Sequence, residues 1–405
     1  MNTERDHVEV HLNPASWWSV FIIFLRLGLT SFGGPIAHLG YFQKEFVQKR
    51  AWMTASEYAD LVALCQFLPG PASSQVGIGL GLLRAGIPGS IAAFLGFTLP
   101  SAVVMGGFAL VYEQLWKAGS GGFLHGFQLV SVAVVAQALW TMAKSFSQGW
   151  IRSAITAFSA IGIIVLPPTI GQIIVITLAG FLGLTWLHVE VPPPSQARKR
   201  QASTATAIFS LSLFFALLAG LPLLAHALPV YPLQLIDCFF RTGALVFGGG
   251  HVVLPLLETQ VVQHGWVTQD AFLVGYGATQ AMPGPLFTFA AFLGAISSQT
   301  PSGWIGAMIA IVAIFLPAFL LVIGAMPFWE QIRHHQVARN ALSGINAGVV
   351  GMLLAAFYHP LWTSAILTPR DFFVAITALL LLTVARLSAW LTVIMTVTLS
   401  GLFLS

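Results

Sequence analysis

Arg26-Leu-Gly28-Leu-Thr-Ser-Phe32-Gly33-Gly34, then Trp52, then Gln66-Phe-Leu-Pro69-Gly70-Pro71 is the stretch that decides the fold, because the chain writes it twice. The second copy reads Arg241-Thr-Gly243-Ala-Leu-Val-Phe247-Gly248-Gly249, then Trp266, then Gln280-Ala-Met-Pro283-Gly284-Pro285. The offset is 215 residues from Arg26 to Arg241 and 214 from Gly70 to Gly284. Both copies lie in apolar surroundings. Matched Gly/Pro interruptions in two hydrophobic halves mark a carrier built from internal repeats, with its substrate site at the interruptions.

Composition agrees. The chain has 405 residues, of which 57% are hydrophobic and 7% charged. A soluble domain carries about 25% charged residues. So few charges cannot cover a soluble surface of this size, and the chain reads as an all-α polytopic membrane protein whose surroundings are the lipid bilayer. The net charge of +4 is small for this length. Its basic residues read as topology signals and not as a nucleic-acid patch. Cys65 and Cys238 lie in apolar segments and read as small packing residues. No Cys/His cluster suggests a metal, no Walker A string suggests ATP, and no nucleophile motif suggests an enzyme. No cofactor is expected. The first fifteen residues are polar and lack the pattern of a cleavable signal, so Trp17 opens a retained first span.

The linker Val191-Pro-Pro-Pro194 with Arg198-Lys199-Arg200 divides the chain. Residues 1–190 form the first repeat, 191–230 a basic linker with an extra apolar helix, and 231–405 the second repeat. Spans are expected near 17–38, 58–82, 87–112, 122–144, 150–166 and 170–187. They recur near 233–254, 272–296, 303–325, 341–358, 371–385 and 388–404, with the extra span at 207–228. Thirteen spans put an odd number before the second repeat and invert it relative to the first. With a cytoplasmic N-terminus, the linker, Arg84, Lys144, Arg152, Arg333, Arg339 and Arg386 fall inside, as the positive-inside rule requires. Lys117 and Arg370 fall outside, and so do Lys44, Lys49 and Arg50, against the rule. Either that loop folds back into the membrane surface or the span count in the first half is wrong.

Pro69-Gly70-Pro71 and Pro283-Gly284-Pro285 cannot lie in a continuous helix, because an interior proline costs about 3 kcal/mol or more. A new helix starts after each break, with free N–H groups at its positive end. Ser73, Ser74 and Gln75 follow the first break and Thr288 the second, adding donors suited to an anion. Phe32-Gly33-Gly34 and Phe247-Gly248-Gly249 form the other pair of breaks, where glycine lets backbone approach a ligand. Arg26 and Arg241 sit at membrane depth, one per repeat, where an arginine is costly and functional. Its planar donor fork fits a tetrahedral oxyanion. Gln66 and Gln280 could donate to an anion or only bond a neighbouring helix. Glu45, Glu57, Asp60, Asp237, Glu258, His38 and His251 fall near span ends, where interface pairing accounts for them.

At these residues the chain resembles the chromate ion transporter (CHR) family, two-domain long-chain type. The likeness rests on the paired strings above and covers essentially the whole chain. It implies a bacterial inner-membrane protein that exports chromate, a tetrahedral dianion close to sulfate in shape, driven by the membrane's ion gradient. Carriage of sulfate or another oxyanion, or an anion channel, are the alternatives. The reading leaves room for a homo-oligomer. The second repeat has Gly250 where the first has Pro35 and lacks the Ser73-Ser74 pair, so unequal contributions from the two halves are expected.

Overall fold

A computed structural model describes residues 16–189, 203–247 and 249–403. The basic linker Arg198–Arg200 and Gly248 lie outside the described residues. The described chain is helical, with no strand among the described residues. Its order is α1 (Trp17–Thr30), α2 (Gly34–Phe42), a π turn (Gln43–Lys49), α3 (Ala55–Phe67), α4 (Ala72–Lys117), α5 (Gly121–Phe146), α6 (Trp150–Val165), α7 (Pro168–Trp186) and α8 (Thr204–Ala227). The second repeat runs α9 (Tyr231–Leu245), α10 (Val253–Val261), α11 (Gln269–Thr279), α12 (Phe289–Ile296), α13 (Gly303–Ala325), α14 (Trp329–Arg333), α15 (Gln336–Ala356), α16 (Thr363–Ala365), α17 (Pro369–Thr383) and α18 (Ala389–Phe403). Helix α4 bends sharply at Ala85 and Gly86, the latter at φ +66°, into arms 72–84 and 87–117.

The four segments that carry the repeated motifs do not span. They fold back as re-entrant hairpins, which corrects the expectation of thirteen spans. In α1 and α2 the chain goes in and returns, since Phe24 meets both Phe42 and Phe46 across the hairpin. In α3 and the arm 72–84, a β-carbon on Gly79 would stand 2.7 Å from Leu61. In α9 and α10, Cys238 lines one cleft with Gln260, and Leu245 lines it with Leu256. In α11 and α12, a β-carbon on Gly275 would stand 2.3 Å from Phe292. The breaks explain the folding back. Helices α1, α3, α9 and α11, of 14, 13, 15 and 11 residues, each end at a Gly-Gly or Pro-Gly-Pro turn. The chain after each turn packs back on the helix before it, so the breaks are tips and not kinks within spans.

The repeats are inverted. Arm 87–117 and its equivalent α13 cross antiparallel: Phe94 meets Phe315 tilted and Phe319 edge-on, while Trp304 lies against Gly106. Equivalent contacts recur within each repeat. A β-carbon on Gly28 would lie 2.8 Å from the Phe97 carbonyl, and one on Gly243 would lie 2.1 Å from the Ile314 carbonyl. Only glycine lets the first helix of each repeat sit this close to its crossing helix. The remaining helices are exchanged between halves. Helix α5 of the first repeat packs on α17 and α18 of the second, and α15 of the second packs on α6 and α7 of the first. The two halves thus share one core, joined by α8.

These contacts sort the loops onto two faces. The first-repeat hairpins enter from what we call the near face, and the second-repeat hairpins from the far face. Arg84 lies over the Trp52 ring at 5.1 Å, placing the loop of Lys49 and Arg50 beside the 85–86 bend on the near face. Tyr231 bonds Ser297 and packs on Trp266, gathering the far-face loops. Lys44, Lys49, Arg50, Arg84, Lys144, Arg152, Arg333, Arg339 and Arg386 all fall at near-face ends, and Lys117 and Arg370 at far-face ends. The Lys44–Arg50 exception disappears because the first two hairpins return to the face they left. Bulky apolar residues such as Trp150, Phe158, Phe181, Phe209, Phe215 and Leu223 stay exposed on the outer helices, as a lipid-facing surface requires.

Candidate functional site

The four tips meet in pairs, and each pair joins one repeat to the other. Gly70 N–H donates to the Val246 carbonyl at 2.7 Å, and Gly284 N–H donates to the Ser31 carbonyl at 2.9 Å. Ser31 and Val246 are equivalent positions, as are Gly70 and Gly284. The Pro-Gly-Pro turn of each repeat therefore bonds the Gly-Gly turn of the other. A β-carbon on Gly250 would lie 3.5 Å from Pro35, its own equivalent, so the local two-fold axis passes between them. The junction is at mid-depth: the Gly284 position faces Ser101, halfway along arm 87–117. Gly33, Gly34, Gly70, Gly249 and Gly284 all hold φ between +76° and +144°, a region that glycine enters without strain.

Helix ends converge on this junction. Helix α2 starts at Gly34 after the first tip, and α4 starts at Ala72 after Pro71, neither with a side-chain cap. First-turn amides have no intrahelical partner, so positive ends point at the tips. The negative ends of α1, α3, α9 and α11 point there too, so helix dipoles alone do not choose an anion. The side chains do. Buried polar atoms without a partner gather here: Ser31 Oγ, His38 Nε2, Ser74 Oγ, Gln75 Oε1 and Thr98 Oγ1. His38 is 1% exposed; its Nδ1 lies 3.4 Å from Ser73 Oγ and its ring stands edge-on to Phe97. With Ser73 donating to Nδ1, Nε2 carries the proton, and the ring also meets the Ser31 backbone carbonyl, so a ligand would compete with that carbonyl for the imidazole N–H. Each such group left without a partner costs about 1–3 kcal/mol. A ligand offering only acceptors would take up the hydroxyl protons and the imidazole N–H, but not Gln75 Oε1, which is itself an acceptor.

This cluster belongs to the first repeat. At the equivalent second-repeat positions stand Val246 for Ser31, Val253 for His38 and Phe289 for Gln75. Thr288, equivalent to Ser74, spends its hydroxyl on the Pro285 carbonyl at 2.8 Å. His251 instead bonds the Tyr276 hydroxyl at 2.7 Å. Gln75 donates to the Pro69 carbonyl at 2.7 Å, which braces the second tip from within.

The other expected residues divide. Pro71 and Pro285 are buried at their tips, Pro69 and Pro283 are half-buried, and Phe32 and Phe247 are half-buried beside the glycine turns. Ser73 and Ser74 are buried at the junction. Gln66 is exposed, and Gln280 donates at 3.5 Å to the Tyr276 carbonyl of its own helix. The two arginines are not a matched pair. Arg26 is exposed on the outer face of α1, alongside Trp18, Ile22 and Leu29, opposite the face that packs on arm 87–117. Arg241 is half-buried and ion-paired to Asp237, one turn earlier on α9. Ile22 stands where Asp237 would be in the first repeat, which explains the difference. Sequence reading passed over Ser31 and Thr98, neither of which is repeated, and assigned His38 and His251 to pairing at span ends; the structure instead buries His38 beside Ser73 at the junction and bonds His251 to Tyr276. The signal was available: each is a polar group within an apolar stretch beside a motif.

Among the described residues no group of His, Cys, Asp and Glu is arranged to hold a metal, and both cysteines are free and buried. No solved structure matches the chain. The chromate transporter family matches residues 18–184 and 233–402, the two repeats without the linker. The chromate transport protein of Cupriavidus metallidurans is 27% identical over 387 residues, 94% of this chain and 91% of that one. That of Pseudomonas aeruginosa is 27% identical over 345 residues, covering 84% and 80%. The probable chromate transport protein of Synechococcus elongatus is 28% identical over 358 residues, covering 86% and 85%. Two repeats meeting at paired tips, and a match that covers both, place this chain in the chromate transporter family.

Proposed function

We propose that this chain is a secondary transporter that exports chromate across the bacterial inner membrane. The observation that carries the reading is the junction itself: two inverted repeats bonded tip to tip at mid-depth, beside buried donors that lack partners. Chromate offers four acceptor oxygens and no donor. Ser31, His38, Ser74 and Thr98 would bind its oxygens, with the first-turn amides after Pro71. Gly33, Gly34, Gly70, Gly249 and Gly284 keep the backbone close, and Pro69, Pro71, Pro283 and Pro285 fix the turns. Phe32 and Phe247 flank the site.

The near face is assigned to the cytoplasm, because nearly all the described lysines and arginines at helix ends fall there. Export then needs little machinery for energy. Moving one charge through 100 mV is worth about 2.3 kcal/mol, so a dianion leaving a negative interior gains about twice that. Alternating access follows from breaking one tip pair at a time: the bond from Gly70 to Val246 and the bond from Gly284 to Ser31 are equivalent but face different hairpins. Sulfate has the same shape and charge and is the natural competitor.

Labelled chromate uptake into inside-out vesicles tests this, with sulfate competition and ionophore controls. Saturable uptake that collapses with the membrane potential and is stimulated by chromate on the opposite side is expected. Unsaturable current would identify a channel, and absence of flux would overturn the reading.

A further inference from the structure

The junction does not use the ion pair of α9. Asp237 and Arg241 lie one turn apart on α9, on the far-face side of the third tip. Asp237 is 5% exposed, and its Oδ1 has no partner; neither has Arg241 Nε. Arg241 opens onto a cleft lined by Gln172, Thr242 and Gln260, with apolar Leu245 and Leu256 beside them. The cleft has room for about 20 Å³, about one water, so it is closed to a tetrahedral oxyanion while Arg241 is held against Asp237 and must widen to admit one. Polar lining, a charged fork with a spare donor and a carboxylate competing for that fork are the parts of a latched anion site.

The surroundings isolate the pair. Helices α7 and α13, which face it, carry no ionisable side chain. Helix α8 carries only His226, exposed at its far-face end. Helix α10 carries Glu258, which lies on the opposite side of the helix from the cleft residues Leu256 and Gln260. On α9 itself the remaining titratable groups are Cys238, beside the pair, and Tyr231, bonded to Ser297. No third charge relieves Arg241 of Asp237, so only a proton on the carboxylate or an incoming anion can.

We propose that the cleft at Arg241 is a second oxyanion station, on the path from the junction to the far face, which Asp237 holds closed until it takes a proton. This rests on the oxyanion-transport reading above. The proton comes from the far-face solution and stays on the Asp237 carboxyl. The N–H donors of Arg241 pass from the carboxylate to the oxygens of a tetrahedral oxyanion. Thr242 and Gln260 can add neutral donors, whereas Gln172 already spends its amide N–H groups on the Pro255 carbonyl and the Thr259 hydroxyl. In the first repeat Arg26 has no such latch, so the device gives the carrier a direction: the far-face station alone answers to pH.

Sulfate, which does not oxidise thiols, is the probe. Binding to the purified full-length chain is measured by titration calorimetry at pH 8 and pH 5.5. The wild type should bind one sulfate at pH 8 and two at pH 5.5. Asp237→Asn should bind two at both values, and Asp237→Asn/Arg241→Gln one at both. A wild type with the same number of sites at both pH values overturns the latch, and needs no variant to fold. An Asp237→Asn protein that keeps the wild-type pH dependence overturns the role of Asp237. No binding by any form at either pH would defeat the oxyanion reading itself, and so is distinguishable from failure of the second station.

Discussion

Replacing Gly284 with alanine attacks the junction where the structure makes it least tolerant. Gly284 has φ +93°, so any β-carbon is strained, by about 1–2 kcal/mol. That β-carbon would stand 2.9 Å from Ser101 Oγ and 3.0 Å from the Phe97 carbonyl. The second neighbour is backbone of the crossing helix and cannot rotate away, so overpacking adds about 1–3 kcal/mol. The fourth tip must retreat, which lengthens its bond to Ser31. A total of about 2–5 kcal/mol is expected. Gly70→Ala is milder: at φ +120° its β-carbon meets Gln75 Nε2 at 2.8 Å, a side chain that can yield by losing its bond to Pro69. Gly34→Ala is the control. It shares the positive φ, +76°, but has nothing within 4 Å, so only the strain of about 1–2 kcal/mol remains. Thermal unfolding of the three purified variants, paired with chromate flux in proteoliposomes, reads the order directly. Gly284→Ala should melt lowest and lose most flux, Gly70→Ala should be intermediate, and Gly34→Ala should stay close to wild type. Equal melting temperatures for Gly284→Ala and Gly34→Ala would refute the packing argument.

Three further outcomes follow from the same geometry. Arg241→Ala should destabilise by about 3–5 kcal/mol, because it leaves Asp237 buried and unpaired, whereas exposed Arg26→Ala should stay within about 0.5 kcal/mol; thermal unfolding compares them. His38→Phe should keep the ring's packing against Phe97 while weakening sulfate binding at least tenfold by calorimetry, and His38→Gln should recover part of it. Single cysteines at Lys49 and Arg386 should react with a membrane-impermeant maleimide from one side only, and a cysteine at Gly119 or Gly265 from the other; labelling of Lys49 together with Gly119 would undo the re-entrant hairpins.

The sequence carried the repeat, its inversion, the breaks and the outer spans. Helices α6, α7, α8, α17 and α18 fall within a few residues of where apolar runs predict them. What it could not carry was the return of the chain. An apolar stretch of 25 residues with a break reads as a kinked span, and only the partner of the break distinguishes a tip. That partner lies in the other repeat, some 180 to 250 residues away, and is contacted through backbone, which leaves no mark in side-chain pattern. The charge distribution did leave one: Lys44, Lys49 and Arg50 disobeyed the positive-inside rule until the hairpins turned back. Repetition, the strongest signal, also misled. It drew attention to Arg26 and Arg241 as equals, although Ile22 against Asp237 makes their surroundings different. It hid Ser31 and Thr98, and left His38 to interface pairing, although the value of all three lies in being unmatched.

The central claim is that chromate passes where the two repeats touch, and locking that contact tests it. Cysteines replacing Pro35 and Gly250 would face each other across the local axis, because a β-carbon at 250 lies 3.5 Å from the Pro35 ring. The doubly substituted chain, reconstituted in proteoliposomes, is oxidised or left reduced and alkylated, cleared of reagents, and assayed for labelled chromate flux under an imposed potential. The account predicts flux in the reduced and alkylated protein and none above background in the cross-linked protein. Cross-linked protein that carries chromate at the uncross-linked rate would contradict it.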